Sequence, residues 1–223
     1  MDTKSARIST HFENIADVFD TIYQGEQKSL LYKIVDVLFR KNILERRLRM
    51  ILDFAGDVNG KEILDIGCGS GRYDILLAKG SPKSILGLDM SSMMIDMAEK
   101  LVKVNNVGDI CKFEKIDFIK KQFDNKFDII IASGVFDYVS DPEAFLFKVK
   151  RVLKEKAIFS FPVKWTIFTP LRVGWLYKKD CPSYYYSKND IGKLAKICGF
   201  KINSIRKIGS FLVPGNYIVS AGL

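Results

Sequence analysis

The stretch Ile63–Tyr73, ILDIGCGSGRY, places three glycines within five residues directly behind a short apolar, β-branched run. Residues without a Cβ allow sharp turns, positive φ and close approach of backbone to a ligand. The run KEILDI (61–66) reads as a strand, and YDILLAK, which follows the glycines, reads as a helix. In a doubly wound sheet, a glycine-rich turn between the first strand and the first helix is where ligands sit. Gly67, Gly69 and Gly71, with Cys68 between them, are therefore expected to lie against a bound cofactor.

The alternation continues outward from this point. KSILGLD (83–89), CKFEKID (111–117), FDIIIAS (127–133) and KAIFSF (156–161) read as further strands. Between them lie SSMMIDMAEKLVKV, with Ser91 or Ser92 as cap, and DPEAFLFKVKRVLK, with Asp141 as cap and Pro142 at the first helical position. Strand, helix, strand repeated four times predicts an α/β fold, a parallel sheet with helices on both faces. Upstream, apolar residues at three-to-four spacing over 26–55 predict one or two amphipathic helices. Downstream, a helix near 187–198 closed by Gly199 precedes FKINSIRKIG and NYIVSAG, two strands joined by a turn around Pro214 and Gly215.

Composition bounds the function. At 223 residues and 48% apolar content, the chain suits one globular domain. No apolar run reaches the ~18 residues of a membrane span. The N-terminal residues do not read as a secretory leader, so a cytoplasmic location is expected. The four cysteines are scattered, without the close pairs of zinc or redox sites, and no metal is expected. The net charge of +9 is uneven: residues 51–143 carry −5 and residues 144–207 carry +12. The basic third is either a solvated face or one that meets an anionic acceptor, a nucleic acid or an acidic membrane surface.

Three acids accompany the glycines. Asp65, Asp89 and Asp117 stand at the ends of the first three strands and line one edge. A carboxylate at the end of the second strand suits ribose hydroxyls. A nicotinamide fingerprint reads GxGxxG and seats a pyrophosphate. Here the third glycine comes one residue early, and Asp65 precedes the first by two. That acid would repel a pyrophosphate and attract an ammonium group, which S-adenosylmethionine carries.

ILDIGCGSGRY, GLDMSSMMIDMA and FDIIIASGVFDYVSDPEAFL together resemble the class I S-adenosylmethionine-dependent methyltransferases, in order and spacing over roughly residues 60–160. The whole chain most resembles their small-molecule branch, the ubiquinone- and porphyrin-type enzymes and natural-product relatives. The resemblance implies a Rossmann-like, seven-stranded sheet in the order 3-2-1-4-5-7-6 with the last strand antiparallel. It implies Asp65 at the methionine ammonium, Gly67 and Gly69 along the methionine part, and Asp89 at the ribose. Met90, Asp117 and Phe118 would surround adenine, with Ser133 or Gly134 near the methionine moiety. Residues 1–55 would form a helical cap in which Tyr23 either closes over the cofactor or packs the N-terminal helix, residues 60–162 the cofactor core, 163–186 an acceptor-site insertion and 187–223 the closing helix and strands.

Such a reaction is in-line displacement on a methyl already activated by positive sulfur, so alignment and desolvation carry most of it. His11, the sole histidine, and Asp137 and Tyr138 after the fourth strand are the candidate bases. His11 reads more readily as an exposed polar residue or cap, whereas Asp137 and Tyr138 read equally as a loop acid and a half-buried ring. Phe136, Trp165, Phe168, Trp175, Tyr184 and Tyr185 are candidates for an apolar, ring-binding acceptor wall. Packing of a long connection onto the core explains the same rings. Lys164, Arg172, Lys178 and Lys179 interleave with them, which suits an anionic aromatic or lipid-like acceptor and shallow membrane contact. It also suits RNA or DNA. Against nucleic acid, the fourth strand ends in SGVFDY, without a paired-proline motif for a flipped base, and the fifth in FPVKW, without a Pro-Cys nucleophile. A domain that binds the cofactor without turnover is the remaining alternative. The sequence leaves the oligomeric state open.

Overall fold

A computed structural model describes residues 41–164, 184–209 and 215–223. Helix α1 (Lys41–Ala55) leads into β1 (Glu62–Ile66), α2 (Arg72–Ala78), β2 (Ser84–Asp89), α3 (Ser92–Asn105), β3 (Cys111–Lys115) and β4 (Phe127–Ala132). There follow α4 (Pro142–Val152), β5 (Leu153–Pro162), α5 (Lys188–Cys198), β6 (Lys201–Ile208) and β7 (Asn216–Gly222). The sheet order is β3-β2-β1-β4-β5-β7-β6. Strands β1 to β5 pair in parallel, and β7 runs antiparallel to both β5 and β6. Order and antiparallel strand agree with the expected seven-stranded sheet.

Side chains alternate along each strand, and the alternation sorts the core into two layers. Leu64, Ile66, Ile130, Ala132, Ala157, Phe159 and Val219 pack under α4 and α5, against Phe145, Leu146, Val149, Ile191 and Leu194. Ile63, Ile129, Ile131, Ile158 and Ile218 point to the other face and pack with Ile51, Ile75, Ala78 and Val102 of α1, α2 and α3. Near-continuous apolar strands are what a sheet covered on both faces requires.

The helix ends follow their caps. Ser91 Oγ accepts from Met94 N at 3.4 Å, and Asp141 Oδ1 from Ala144 N at 2.9 Å with Pro142 next to it. Ser187 and Asp190 form a reciprocal capping box, and Gly199 closes α5 at φ 70°. Lys156 Nζ donates to the terminal carbonyls of Phe54 and Ala55, fastening α1 to β5.

The structure departs from the expected alternation in one place. No helix joins β3 to β4; residues 116–126 cross by turns alone. Lys148 of α4 holds this crossing by donating to the Ile119 and Lys121 carbonyls at 2.6 and 2.7 Å. Strand β3 also stops at Lys115, so Asp117 lies in the following turn, where its Oδ1 accepts from Ile119 N at 2.9 Å. The predicted helix over 26–40 and the turn at Pro214 lie outside the described residues.

Candidate active site

Strand order reverses between β1 and β4: the chain runs from β1 through β2 to β3 on one side, then returns to β4 and β5 on the other. Such a switch leaves a crevice at the carboxyl ends of the strands. The glycine turn stands there. Gly67 N and Cys68 N both donate to the Leu88 carbonyl, at 2.7 and 3.0 Å, which pins the turn to the end of β2. Gly67 and Gly69 have φ of 71° and 55°, which side chains with a Cβ rarely adopt. They differ in their surroundings. A Cβ on Gly67 would meet Val135 Cγ2 at 2.6 Å, whereas one on Gly69 would meet nothing nearer than Met94 Sδ at 4.0 Å. Gly67 is required by this chain's own packing; at Gly69 the space that a side chain would fill is open.

The carboxylates behave differently from one another. Asp89 closes β2 and is tied to the turn: its Oδ2 accepts from Gly69 N and its Oδ1 from Ser91 N, both at 2.9 Å. Burial raises its carboxyl pKa, offset by hydrogen bonds from the Ser91, Gly69 and Met90 backbone. Asp65, on β1, is 1% exposed, and neither of its oxygens has a hydrogen-bond partner among the described residues. Burial, then the charges of Asp74 and Asp89, push its pKa well above the carboxylate range. An ionised carboxylate so placed is costly unless a cation meets it. Asp117 is half-buried in its turn, and Phe118 beside it is buried against Phe123 and Phe145, at 5.8 and 5.1 Å between centroids.

Beyond β4, Ser133 Oγ lies 3.2 Å from Tyr73 Oη, and Tyr73 Oη accepts from Arg47 Nε at 3.2 Å. Gly134 N donates to the buried Ser160 Oγ at 2.7 Å. These contacts bring α1, α2, β4 and β5 together at one mouth. Arg47, Tyr73, Asp74 and Ser160 are missed by sequence reasoning. Asp74 alone carried a signal: with Leu77 and Ala78 it sits at three-and-four spacing on the buried face of α2.

Asp137 is buried, and its carbonyl accepts from Tyr184 N at 2.9 Å, so the loop after β4 and the chain entering α5 are joined. Tyr138, Tyr184 and Tyr185 are half-buried. Phe136 is fully buried and packs on Phe161 at 4.2 Å and on Phe145, Phe159 and Tyr186. Its position is therefore a core position behind the crevice and not an exposed acceptor wall. His11, Tyr23, Trp165, Phe168 and Trp175 lie outside the described residues. A groove of about 540 Å³ lined by Ile119, Phe123, Phe147, Lys148 and Arg151 runs beside α4, away from the glycine turn.

The donor set fits S-adenosylmethionine. A buried carboxylate without a partner suits its ammonium, the free lone pairs of Asp89 suit ribose hydroxyls, and the open space at Gly69 admits a ligand chain. No described helix is long and apolar enough to cross a membrane.

A methyltransferase-domain family matches residues 57–166, a span that holds the glycine turn and all three acids. The demethylmenaquinone methyltransferase of Thermotoga maritima is 30% identical over 202 residues, which are 81% of this chain and 78% of that protein. Against several other curated relatives the chain spans only 30% to 47% of their length. Among solved structures, magnesium protoporphyrin IX methyltransferase from Synechocystis with bound S-adenosylhomocysteine superposes at TM-score 0.78 with 20% identity, over 98% of this chain and 99% of that one. The [4+2]-cyclase SpnF superposes at 0.76 with 14% identity, over 96% and 94%, so the fold by itself names no reaction. Sequence identity over most of both chains, as with the Thermotoga enzyme, is the stronger warrant: this chain belongs to the class I S-adenosylmethionine-dependent methyltransferases.

Proposed function

We propose that this protein methylates a small acceptor of quinol, porphyrin or natural-product type. The observation that carries the cofactor half is the buried, unpartnered Asp65 carboxylate beside the glycine turn. The acceptor half is supported by the Thermotoga relative, named for a demethylated quinone, and by the porphyrin enzyme that shares the fold. Bound in the crevice, S-adenosylmethionine supplies a methyl group on a positively charged sulfur.

The chain's own residues then have three tasks. Asp65 holds the ammonium, Asp89 the ribose, and the turn formed by Asp117 and Phe118 borders the adenine with Met90. Ser133 and Gly134, fixed through Tyr73 and Ser160, shape the mouth where the acceptor approaches. Asp137 and Tyr138 stand on the loop beyond them, the position from which a proton would be taken. Restriction of approach at such a mouth is worth up to ~7–11 kcal/mol of barrier when the reacting atoms are held in line.

The test is calorimetric titration with S-adenosylhomocysteine, followed by a screen of quinols, porphyrins and phenols for a product heavier by one methyl. Micromolar product binding with methylation of one class is the expected result. Methylation of RNA alone, or binding without turnover on any acceptor, would replace this reading.

A further inference from the structure

Asp74 has no part in the reading above, yet it is 0% exposed and neither carboxylate oxygen has a hydrogen-bond partner among the described residues. Its position relative to Asp65 follows from the fold. Alternation along β1 puts Asp65 on the same face as Ile63, the face covered by α2, and Asp74 lies on the buried side of α2 with Ile75 and Ala78. The two acids act on each other directly, and Asp89 adds a third negative charge. Asp74 also raises the thiols of Cys68 and Cys111, from the glycine turn and β3.

Two carboxylates buried together resist simultaneous ionisation, so the pair retains at least one proton. Burial accordingly holds Asp74 up at about 7. A strand and a helix that present two unpartnered acids beneath the glycine turn make a site with a clear chemical demand: a compact cation with several N–H donors. We propose that Asp74 joins Asp65 in a paired-carboxylate seat for the cofactor's α-ammonium, and that the ammonium displaces the proton the pair holds. The proposal rests on the cofactor placement given above. The step balances: a carboxylic acid and an ammonium ion become a carboxylate paired with that ammonium, and one proton goes to solvent.

The test is calorimetry in two buffers of different ionisation enthalpy, between about pH 6 and 8, which counts protons released on binding. The probes are S-adenosylhomocysteine and 5′-methylthioadenosine, which keeps adenine, ribose and thioether but has no ammonium. The wild-type protein is expected to release about one proton with the first and none with the second. S-adenosylhomocysteine affinity should weaken roughly tenfold per unit fall in pH below the midpoint of the pair. Asp74→Asn keeps the shape of the side chain and should still bind S-adenosylhomocysteine, more weakly and with diminished proton release. Equal proton release by both probes, or release undiminished in Asp74→Asn, would overturn the seat while leaving the cofactor reading intact. Failure of both probes to bind would overturn the seat together with the placement beneath it. If Asp74→Asn does not fold, the comparison of the two probes on the wild-type protein decides alone.

Discussion

Asp89 shows how one side chain can hold a turn together while, in the proposed placement, it also meets the ribose. Sequence position assigns it to ribose hydroxyls, and the structure adds that its two oxygens hold the glycine turn and the start of α3 through Gly69 N and Ser91 N. Asp89→Ala therefore has two expected effects. Hydrogen bonds to a charged acceptor are worth ~1.5–3 kcal/mol each when buried, and these are partly solvated, so a loss of about 1–3 kcal/mol of stability is expected. Affinity for S-adenosylhomocysteine should fall at least ~100-fold, because an anchor of the ligand and the shape of the turn are lost together. Thermal denaturation and titration of the same sample separate the two effects. A folded Asp89→Ala protein with wild-type affinity would sink the placement of the ribose.

At the level of elements, the loop after β4 carries the most instructive disagreement. Phe136 occupies an acceptor-facing place by chain position, yet its ring is fully buried among Phe145, Phe159, Phe161 and Tyr186. Phe136→Ala should cost ~3–5 kcal/mol of stability, measured by denaturant unfolding, since α4 and β5 cannot collapse onto the space. If stability is unchanged while the acceptor KM rises, the ring belongs to the acceptor wall after all. The five parallel strands, the caps at Ser91 and Asp141 and the C-terminal Gly199 were legible in the sequence because each depends on neighbours within a few residues. The direction of Phe136 depends on partners nine to fifty residues away, and no local pattern carries that information. The missing helix between β3 and β4 has a similar origin: the crossing is held by Lys148 on α4, a tertiary contact. The places of Asp65 and Asp89 beside the glycine turn were legible in the sequence, whereas the link from Arg47 through Tyr73 to Ser133 joins elements that only the sheet order brings together.

For the molecule as a whole, the buried acids set how stability responds to pH. Asp74 carries a folded value of about 7 against an unfolded value of 3.8, so over that interval the folded state binds more protons than the unfolded one. Stability from this group is present in full near pH 4 and is lost as pH rises toward 7, by about 4 kcal/mol at most. Asp65 is raised in the same direction and extends the loss. Opposing them, Glu62, Asp128 and Asp190 have lowered values, held by Lys154 and Lys83, by the Glu62 amide with Lys154, and by Ser187. Those groups add stability above the unfolded carboxylate range and lose it only as pH falls further. The ligand-free protein is therefore expected to be most stable on the acid side of neutrality. Its melting temperature should decline by up to ~10 °C between about pH 5 and 8. Asp74→Asn should flatten that decline, because the amide has no charge to bury. A melting temperature independent of pH in the wild-type protein would mean that Asp65 and Asp74 are already neutralised by a partner, and the electrostatic demand of this interior would need another explanation.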